Sequence, residues 1–488
     1  MIPGVDYIRI LPEIVLSVFG MAVMIIDPLL PEHDNRRSLG VLSAIGCVCA
    51  LLAVFIQAAY PGMAFFNTIR VDGFSVFFHA VVILVALAAT LSSFEYLEVQ
   101  QIRLGEYYGL ILLGTVGMCL MSSAIELVLI FIALEISSIA TYVLAGFRRR
   151  AASSAEASIK YFLLGSFATA FFLYGVALMF GATGSTNVDD IARALSKGAP
   201  TLAYLAMALM FVGLGFKVAT APFQVWTPDV YEGAPAPVVG LMSTAPKAAA
   251  FAVLLRVLYG TAGGNGFWGA AQPGWFWMIW VSAALSMTLG NLGALVQTNV
   301  KRLLAYSSIA HAGYLMVAFA AFRDTSAGIS AAMFYAAAYA AMNVGAFAVV
   351  SHFASAGEKY VSLDDYAGLG RRSPILAAAL SVFLLSLIGI PITGGFLAKF
   401  YVFTAALQSS LVGLTIIGVL NSGVGAYYYL RLIVVMYMRE PRDEAPVPPI
   451  PFSAGLAMVL SLIATIYLGV LPGRLLNFTL GSARELMR

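Results

Sequence analysis

Six basic side chains stand inside or at the ends of long apolar segments: Lys160, Lys217, Lys247, Arg256, Lys399 and Arg431. A carboxylate, Glu135, lies about ten residues into another such segment, with Ser138 and Tyr142 at i+3 and i+7 on its helix face. An ionisable group at membrane depth costs at least about 2.5–3.5 kcal/mol, so its presence marks an ion path or a proton relay. A lone buried carboxylate takes up a proton, whereas one beside a lysine stays ionised. Proton traffic needs that mutual dependence. Lysine suits the task because burial shifts its proton affinity readily, while arginine stays charged. At depth lysine outnumbers arginine four to two. The plainer alternative for Glu135 and Lys217 is a fixed structural ion pair. For Lys247 it is a snorkelling interfacial lysine, and for Lys160 a local i,i+4 pair with Glu156. His311, in Ser307-Ser308-Ile309-Ala310-His311-Ala312-Gly313-Tyr314, is read as a proton relay, the alternative being a satisfied core histidine. Arg256, Arg431, His79 and Asp72 read as structural or interfacial, and Tyr427, Tyr428 and Tyr429 as packing or interfacial aromatics.

Those residues must be held by membrane-spanning helices. Charged residues make up 10% of the 488 positions and apolar residues 61%, against about 25% charged in an ordinary soluble domain. The apolar runs are continuous rather than alternating, which excludes a β-barrel. We place fourteen spans, among them 125–146, 157–181, 202–223, 237–261, 303–322 and 374–405. Two of these are interrupted. Span 7 carries Pro222 five residues after Lys217, and span 12 reads Gly389-Ile390-Pro391-Ile392-Thr393-Gly394-Gly395 before Lys399. Each broken span is the fourth of a five-helix set, 4–8 and 9–13. Five is odd, so the two sets are inverted, the pattern of a transporter-type site. The resulting organisation is helices 1–3 in 1–106, a first repeat in 107–261, a second in 262–438 and a last helix in 439–488.

Thirteen lysines and arginines fall in the loops on one side and eight on the other, counting Lys301 and Arg302 as loop cations on the richer side. The positive-inside rule then puts both chain ends outside the cytoplasm.

The stretch Pro222-Phe223-Gln224-Val225-Trp226-Thr227-Pro228-Asp229-Val230-Tyr231-Glu232-Gly233-Ala234-Pro235, followed by Ala245-Pro246-Lys247, resembles subunit N of bacterial respiratory complex I, the proton-pumping NADH:quinone oxidoreductase. Asn299 to Tyr314 and Leu387 to Tyr401 support the likeness, which runs from about Glu106 to Tyr437. The resemblance implies two half-channels, with Glu135 and Lys217 as the proton-uptake pair, Lys247 as central relay and Lys399 as exit group. Lys160 and His311 would lie on the connecting polar axis. Position 224 is Gln where many relatives carry His. The resemblance further implies location in the bacterial inner membrane beside other complex I membrane subunits, antiporter-like neighbours and small subunits included, and the lipid bilayer. Flavin (FMN), iron–sulfur clusters and quinone would belong to other subunits, and this chain shows no nucleotide or cluster motif of its own. The alternative is a subunit of a multisubunit Na⁺/H⁺ antiporter of Mrp type, without redox coupling.

Overall fold

The structure, a computed structural model, describes residues 3–31, 35–259, 268–321, 326–354, 358–441 and 447–487, with the backbone alone for 268–273. The proposed boundary at 261/262 and the loop cations Arg323, Arg442 and Arg488 lie outside them. The protein is an all-α polytopic membrane protein, with twenty-one α-helices among the described residues. They begin with α1 (Gly4–Arg9), α2 (Leu11–Ile26), α3 (Arg37–Ala58) and α4 (Gly73–Val99). A short antiparallel pair, β1 (Gly62–Ala64) and β2 (Ile69–Val71), joins α3 to α4 with Met63 opposite Arg70. Next come α5 (Glu106–Ser123), α6 (Leu127–Ala145), α7 (Ala152–Thr183), α8 (Val188–Leu195), α9 (Thr201–Val218), α10 (Thr227–Gly233), α11 (Ala236–Met242) and α12 (Ala245–Tyr259). The second half holds α13 (Trp268–Leu295), α14 (Val300–Ala320), α15 (Ala327–Phe353), α16 (Leu369–Arg372), α17 (Pro374–Ile388), α18 (Gly394–Gln408) and α19 (Val412–Met438). The chain closes with α20 (Phe452–Val470) and α21 (Gly473–Leu486).

Among the described residues, twelve segments are long and apolar enough to cross a bilayer by length and composition. Adding α5 and the interrupted α17–α18 gives the fourteen expected. α21, beyond the last expected span, was not anticipated.

Both expected breaks are present. In the first, α9 ends at Val218, Ala219 turns left-handed (φ 59°), and residues 219–226 lead into α10. Backbone freed at membrane depth must find partners inside the protein. Here two serines one turn apart on α13 supply them: Ala221 N–H donates to Ser286 Oγ at 2.7 Å, and Ser282 Oγ donates to Ala221 O at 2.8 Å. In the second, α17 ends at Gly389 (φ 93°), a left-handed position that favours glycine. Gly395 opens α18 against it, and a Cβ there would lie 1.8 Å from Ser386 O. Only glycine lets the two half-helices approach so closely. A further interruption went unexpected: span 8 is divided into α11 and α12 at Ser243–Thr244, and Asn343 Nδ2 donates to Ser243 Oγ at 2.6 Å.

The most enclosed helices are the pieces α11 and α12, with α14 and α15. A helix that is apolar all round and buried all round forms the middle of a bundle, and the polar side chains that interrupt these four are therefore interior groups.

Candidate functional site

The helix breaks create the lysine environments. A helix leaves its last carbonyls without intrahelical partners and partially negative. At the end of α17 Lys399, brought back by α18, donates to Leu387 O at 3.0 Å and Ile388 O at 2.8 Å, and to Ser422 Oγ at 2.8 Å. Its Nζ also lies 4.8 Å from the centroid of Tyr314. This ammonium has its three donors occupied. Lys247 is placed differently. It is the third residue of α12, at the positive end of that helix's dipole. It donates to Ser308 Oγ at 2.6 Å, with Ser308 O at 3.4 Å. Tyr339 donates to the same Oγ at 2.8 Å.

His311, one turn along α14 from Ser308, has Nδ1 2.7 Å from Tyr335 Oη and Nε2 3.3 Å from Tyr429 Oη. Tyr429 in turn bonds Ser307 Oγ. Between Lys247 and His311 lies a cavity of about 20 Å³, lined by Thr244, Lys247, Ser308, His311, Tyr335 and Tyr339 among others. A water needs roughly 10–15 Å³ of such space and two to four polar partners, so the cavity has room for one water within reach of both groups. Towards Lys399 the polar row continues through Tyr314, to which Asn291 Nδ2 donates at 3.2 Å, and Tyr428, which donates to Asn291 Oδ1 at 3.0 Å.

In the first half, Lys217 sits in the last turn of α9 and donates to Ser138 Oγ at 2.9 Å. Glu135 is one turn away on α6 but makes no direct ion pair with Lys217. It is half-buried, and its Oε1 is enclosed without a hydrogen-bond partner. Ser138 Oγ in turn donates to Leu134 O at 2.7 Å, so the serine holds Lys217 without bonding Glu135. From Lys217 to Lys247 the space is filled by aromatic rings: Tyr161, 6.0 Å from Lys217 Nζ, stacks on Trp226 at 4.5 Å, and Tyr231 stands 5.9 Å from Lys247 Nζ. Gln224 belongs to the α9–α10 break, and its Oε1 also lacks a partner.

The chain matches a family model described as "NADH:quinone oxidoreductase/Mrp antiporter, TM" over residues 124–425. It is 67% identical to NADH-quinone oxidoreductase subunit N 2 of Koribacter versatilis, across 100% of this chain and 99% of the relative. The chain belongs to the NADH-quinone oxidoreductase subunit N family. Its fold matches a chain of respiratory complex I from Thermus thermophilus with a TM-score of 0.80 at 38% identity, covering 96% of this chain and 100% of that one. A chain of the Mrp complex of a Dietzia species shares the fold, with a TM-score of 0.84 at 20% identity over 98% and 97% of the two chains.

Of the six site residues expected in this subunit N family member, Lys247 of α12 meets His311 and Lys399 of the second half along one polar row, and Glu135 and Lys217 share Ser138's neighbourhood in the first half. Lys160 is apart from both. Its side chain is 41% exposed and bonds Glu156 and Asp229, each at 2.7 Å. Asp229 also meets Arg302 at 2.7 Å. Partial burial works to raise the Asp229 carboxyl, but the hydrogen bonds from Lys160 and Arg302 outweigh it and hold the group below its ordinary value. Lys160 therefore belongs to a half-exposed charge network at one end of the bundle.

Two features escaped the sequence. Tyr428 and Tyr429, read as packing aromatics, are buried members of the polar row, while Tyr427 is exposed. Lys301, read as a loop cation, is fully buried in the first turn of α14 and pairs with Glu358 at 2.7 Å. Glu358 gathers further donors: Arg148 at 3.0 Å, Tyr96 Oη at 2.7 Å and the backbone N–H of Ala236, the first residue of α11, at 2.9 Å. Asp72 and Arg256 form a two-pronged buried pair at 3.0 Å, at the opposite end of the bundle.

Proposed function

We propose that this chain is a proton-translocating membrane subunit of an NADH:quinone oxidoreductase, and that it moves protons through Glu135, Lys217, Lys247, His311 and Lys399. The observation that carries the reading is the bonding of the lysines. Lys217 and Lys247 are held by serine hydroxyls, not by carboxylates, so neither is locked as the cation of a salt bridge. A buried lysine held only by hydroxyls can exist with or without its proton, which is the property a relay needs.

Protons reach Lys217 past Glu135 and Ser138. The rings of Tyr161, Trp226 and Tyr231 separate Lys217 from Lys247, so this step needs rearrangement or transient hydration near Gln224. From Lys247 the proton passes to His311 through the hydroxyls of Ser308 and Tyr339 and one water in the adjoining cavity. Lys399, with two helix-end carbonyls and a hydroxyl, is the best-solvated ammonium of the row and the place where the proton collects before release. Lys160, in its half-exposed network, lies beside this route and supplies local charge.

The partly exposed Glu135 flank, with Ile132, Ile136 and Ile139 open around it, suits a covering neighbour, since a carboxylate facing lipid is costly. An adjacent antiporter-like subunit is the partner we assign there, with smaller membrane subunits and lipid on other faces. FMN, iron–sulfur clusters and quinone act in other subunits, and NADH oxidation couples to this chain through charge. We place it in the bacterial inner membrane with both ends on the periplasmic side, and divide it into repeats at 107–261 and 262–438. The Mrp-type reading has behind it a family model shared by both systems and a fold-level likeness, whereas the high sequence identity is to subunit N.

The test is proton pumping by the assembled complex carrying Lys217→Ala or Glu135→Gln, with quinone reductase activity followed in parallel. Pumping should fall while the complex still assembles; full pumping in both variants would overturn the relay.

A further inference from the structure

Outside the lysine row, the first four helices bury a second pair of titratable groups. Glu13, three residues into α2, is 4% exposed, and neither carboxylate oxygen has a hydrogen-bond partner. Its Oε1 lies 3.5 Å from Nε2 of His79, a fully buried residue of α4. His79 Nε2 is also 2.9 Å from Cys119 O, and Nδ1 is 3.0 Å from Gln57 Oε1. The Gln57 amide is oriented independently, because its Nε2 donates to the backbone carbonyl of Arg9. Its oxygen therefore faces the imidazole.

Both ring nitrogens of His79 thus face acceptors. A neutral imidazole has one N–H and would set its remaining lone pair against an oxygen. The imidazolium satisfies both contacts, and it requires a buried counter-charge. Glu13 supplies one.

We propose that Glu13 and His79 form a proton-binding site separate from the Lys217–Lys399 row, in which one proton is held on His79 while Glu13 is ionised, and passes to Glu13 when His79 cannot carry it. The proton comes from hydronium in solution, which leaves as water, and the product is the imidazolium–carboxylate pair, so no other reactant is needed. The site lies near an aqueous face. The Gln57 bond leads to Arg9, which with Asp6 lines an open cavity of about 360 Å³ beside the β1–β2 turn. Asp72 and Arg256 act on the site, and further charged groups lie along the same end of α4. Asp72 caps α4 and pairs with Arg256 of α12, whose Nε donates to Ser122 O on α5 at 3.0 Å. Arg70 bonds Asp189 at 2.6 Å. Glu485 of α21 accepts from the Gly73 N–H at 2.8 Å. Cys47 on α3 and Cys119 on α5 complete the surroundings as buried thiols. Arg256 is nine residues beyond Lys247 on α12, so charge at this site is presented to the helix that carries the central lysine.

The test is difference infrared spectroscopy of the assembled complex at neutral pH, with Glu13→Gln, His79→Gln and the double variant. In the native background Glu13→Gln should remove a carboxylate stretch and no carboxylic acid C=O stretch. His79→Gln should create a carboxylic acid C=O stretch that the double variant lacks. Loss of a carboxylic acid band on Glu13→Gln in the native background would overturn the proposal, as would the absence of any new band in His79→Gln. Should His79→Gln prevent assembly, the single Glu13→Gln comparison still decides between carboxylate and acid. Proton pumping in the same preparations reads the lysine row separately, so failure of either idea is seen without the other.

Discussion

Lys247 Nζ stands 2.6 Å from Ser308 Oγ, and Tyr339 Oη is 2.8 Å from the same oxygen. The hydroxyl accepts from both, which leaves its own proton directed elsewhere, and the adjoining cavity lies next to it. Ser308 is thereby the pivot between the central lysine and His311. A hydrogen bond to a charged group contributes about 1.5–3 kcal/mol. Ser308→Ala should therefore slow proton translocation by roughly tenfold or more, with the complex assembled and Lys247 in place. The check is pumping by reconstituted vesicles, normalised to complex content. Wild-type pumping in Ser308→Ala would remove the serine from the path.

Lys399 separates charge from titration. A guanidinium at this position retains donors for Leu387 O, Ile388 O and Ser422 Oγ, yet it does not release its proton. Lys399→Arg should assemble normally and pump little or nothing, whereas a purely structural cation would be replaced without loss. Pumping and detergent-resistant assembly measured side by side distinguish the two.

The Asp72–Arg256 pair is a stability element. Arg256 is fully buried, stacks 4.9 Å from the Phe74 ring and meets both oxygens of Asp72. Breaking such a pair from one side costs about 3–5 kcal/mol, because the other charge is left buried and uncompensated. Arg256→Met should lower the thermal stability of the assembled complex sharply. Asp72→Asn combined with Arg256→Met should lose less than Arg256→Met alone. Additive losses in the thermal melts of Asp72→Asn, Arg256→Met and the double variant would show that the two residues do not act as a pair.

Much of this was legible in the sequence, for identifiable reasons. Span 12 announced its break because Gly389, Pro391, Gly394 and Gly395 are local signals, and the structure breaks between Ile388 and Gly394. The Ser243–Thr244 interruption gave none, since neither residue forbids a helix. The depth of Lys217, Lys247 and Lys399 followed from apolar runs around them. Their partners did not, because those are set by packing between distant segments: Lys247 and Ser308 are 61 residues apart, and Lys301 and Glu358 are 57. For the same reason Tyr429 read as one aromatic among three, though its hydroxyl joins His311 to Ser307. Lys301 counts as a loop cation in the sequence, whereas its burial is made tolerable by Glu358, returning from beyond α15, and by the carbonyl of Ala234 at 2.6 Å.

Glu358 leads to a prediction in pH. Burial works to raise its carboxyl, but Lys301 and Arg148 outweigh that and hold it below its ordinary value. A carboxyl depressed by folding contributes stability that is complete above its unfolded value and disappears as pH falls through the folded one. Glu358→Gln removes this contribution and leaves Lys301 buried without its counter-ion, at the point where α14, α4 and the start of α11 are joined. At neutral pH the variant should be less stable than wild type by a few kcal/mol, about the cost of breaking a buried pair. The difference should hold through mildly acidic solution and narrow only as pH drops below the ordinary carboxylate range. Thermal dissociation of the assembled complex, wild type against Glu358→Gln across an acid series, is the measurement. A gap that closes already between pH 7 and 6 would show that another group, not Glu358, governs the acid response of this end of the bundle.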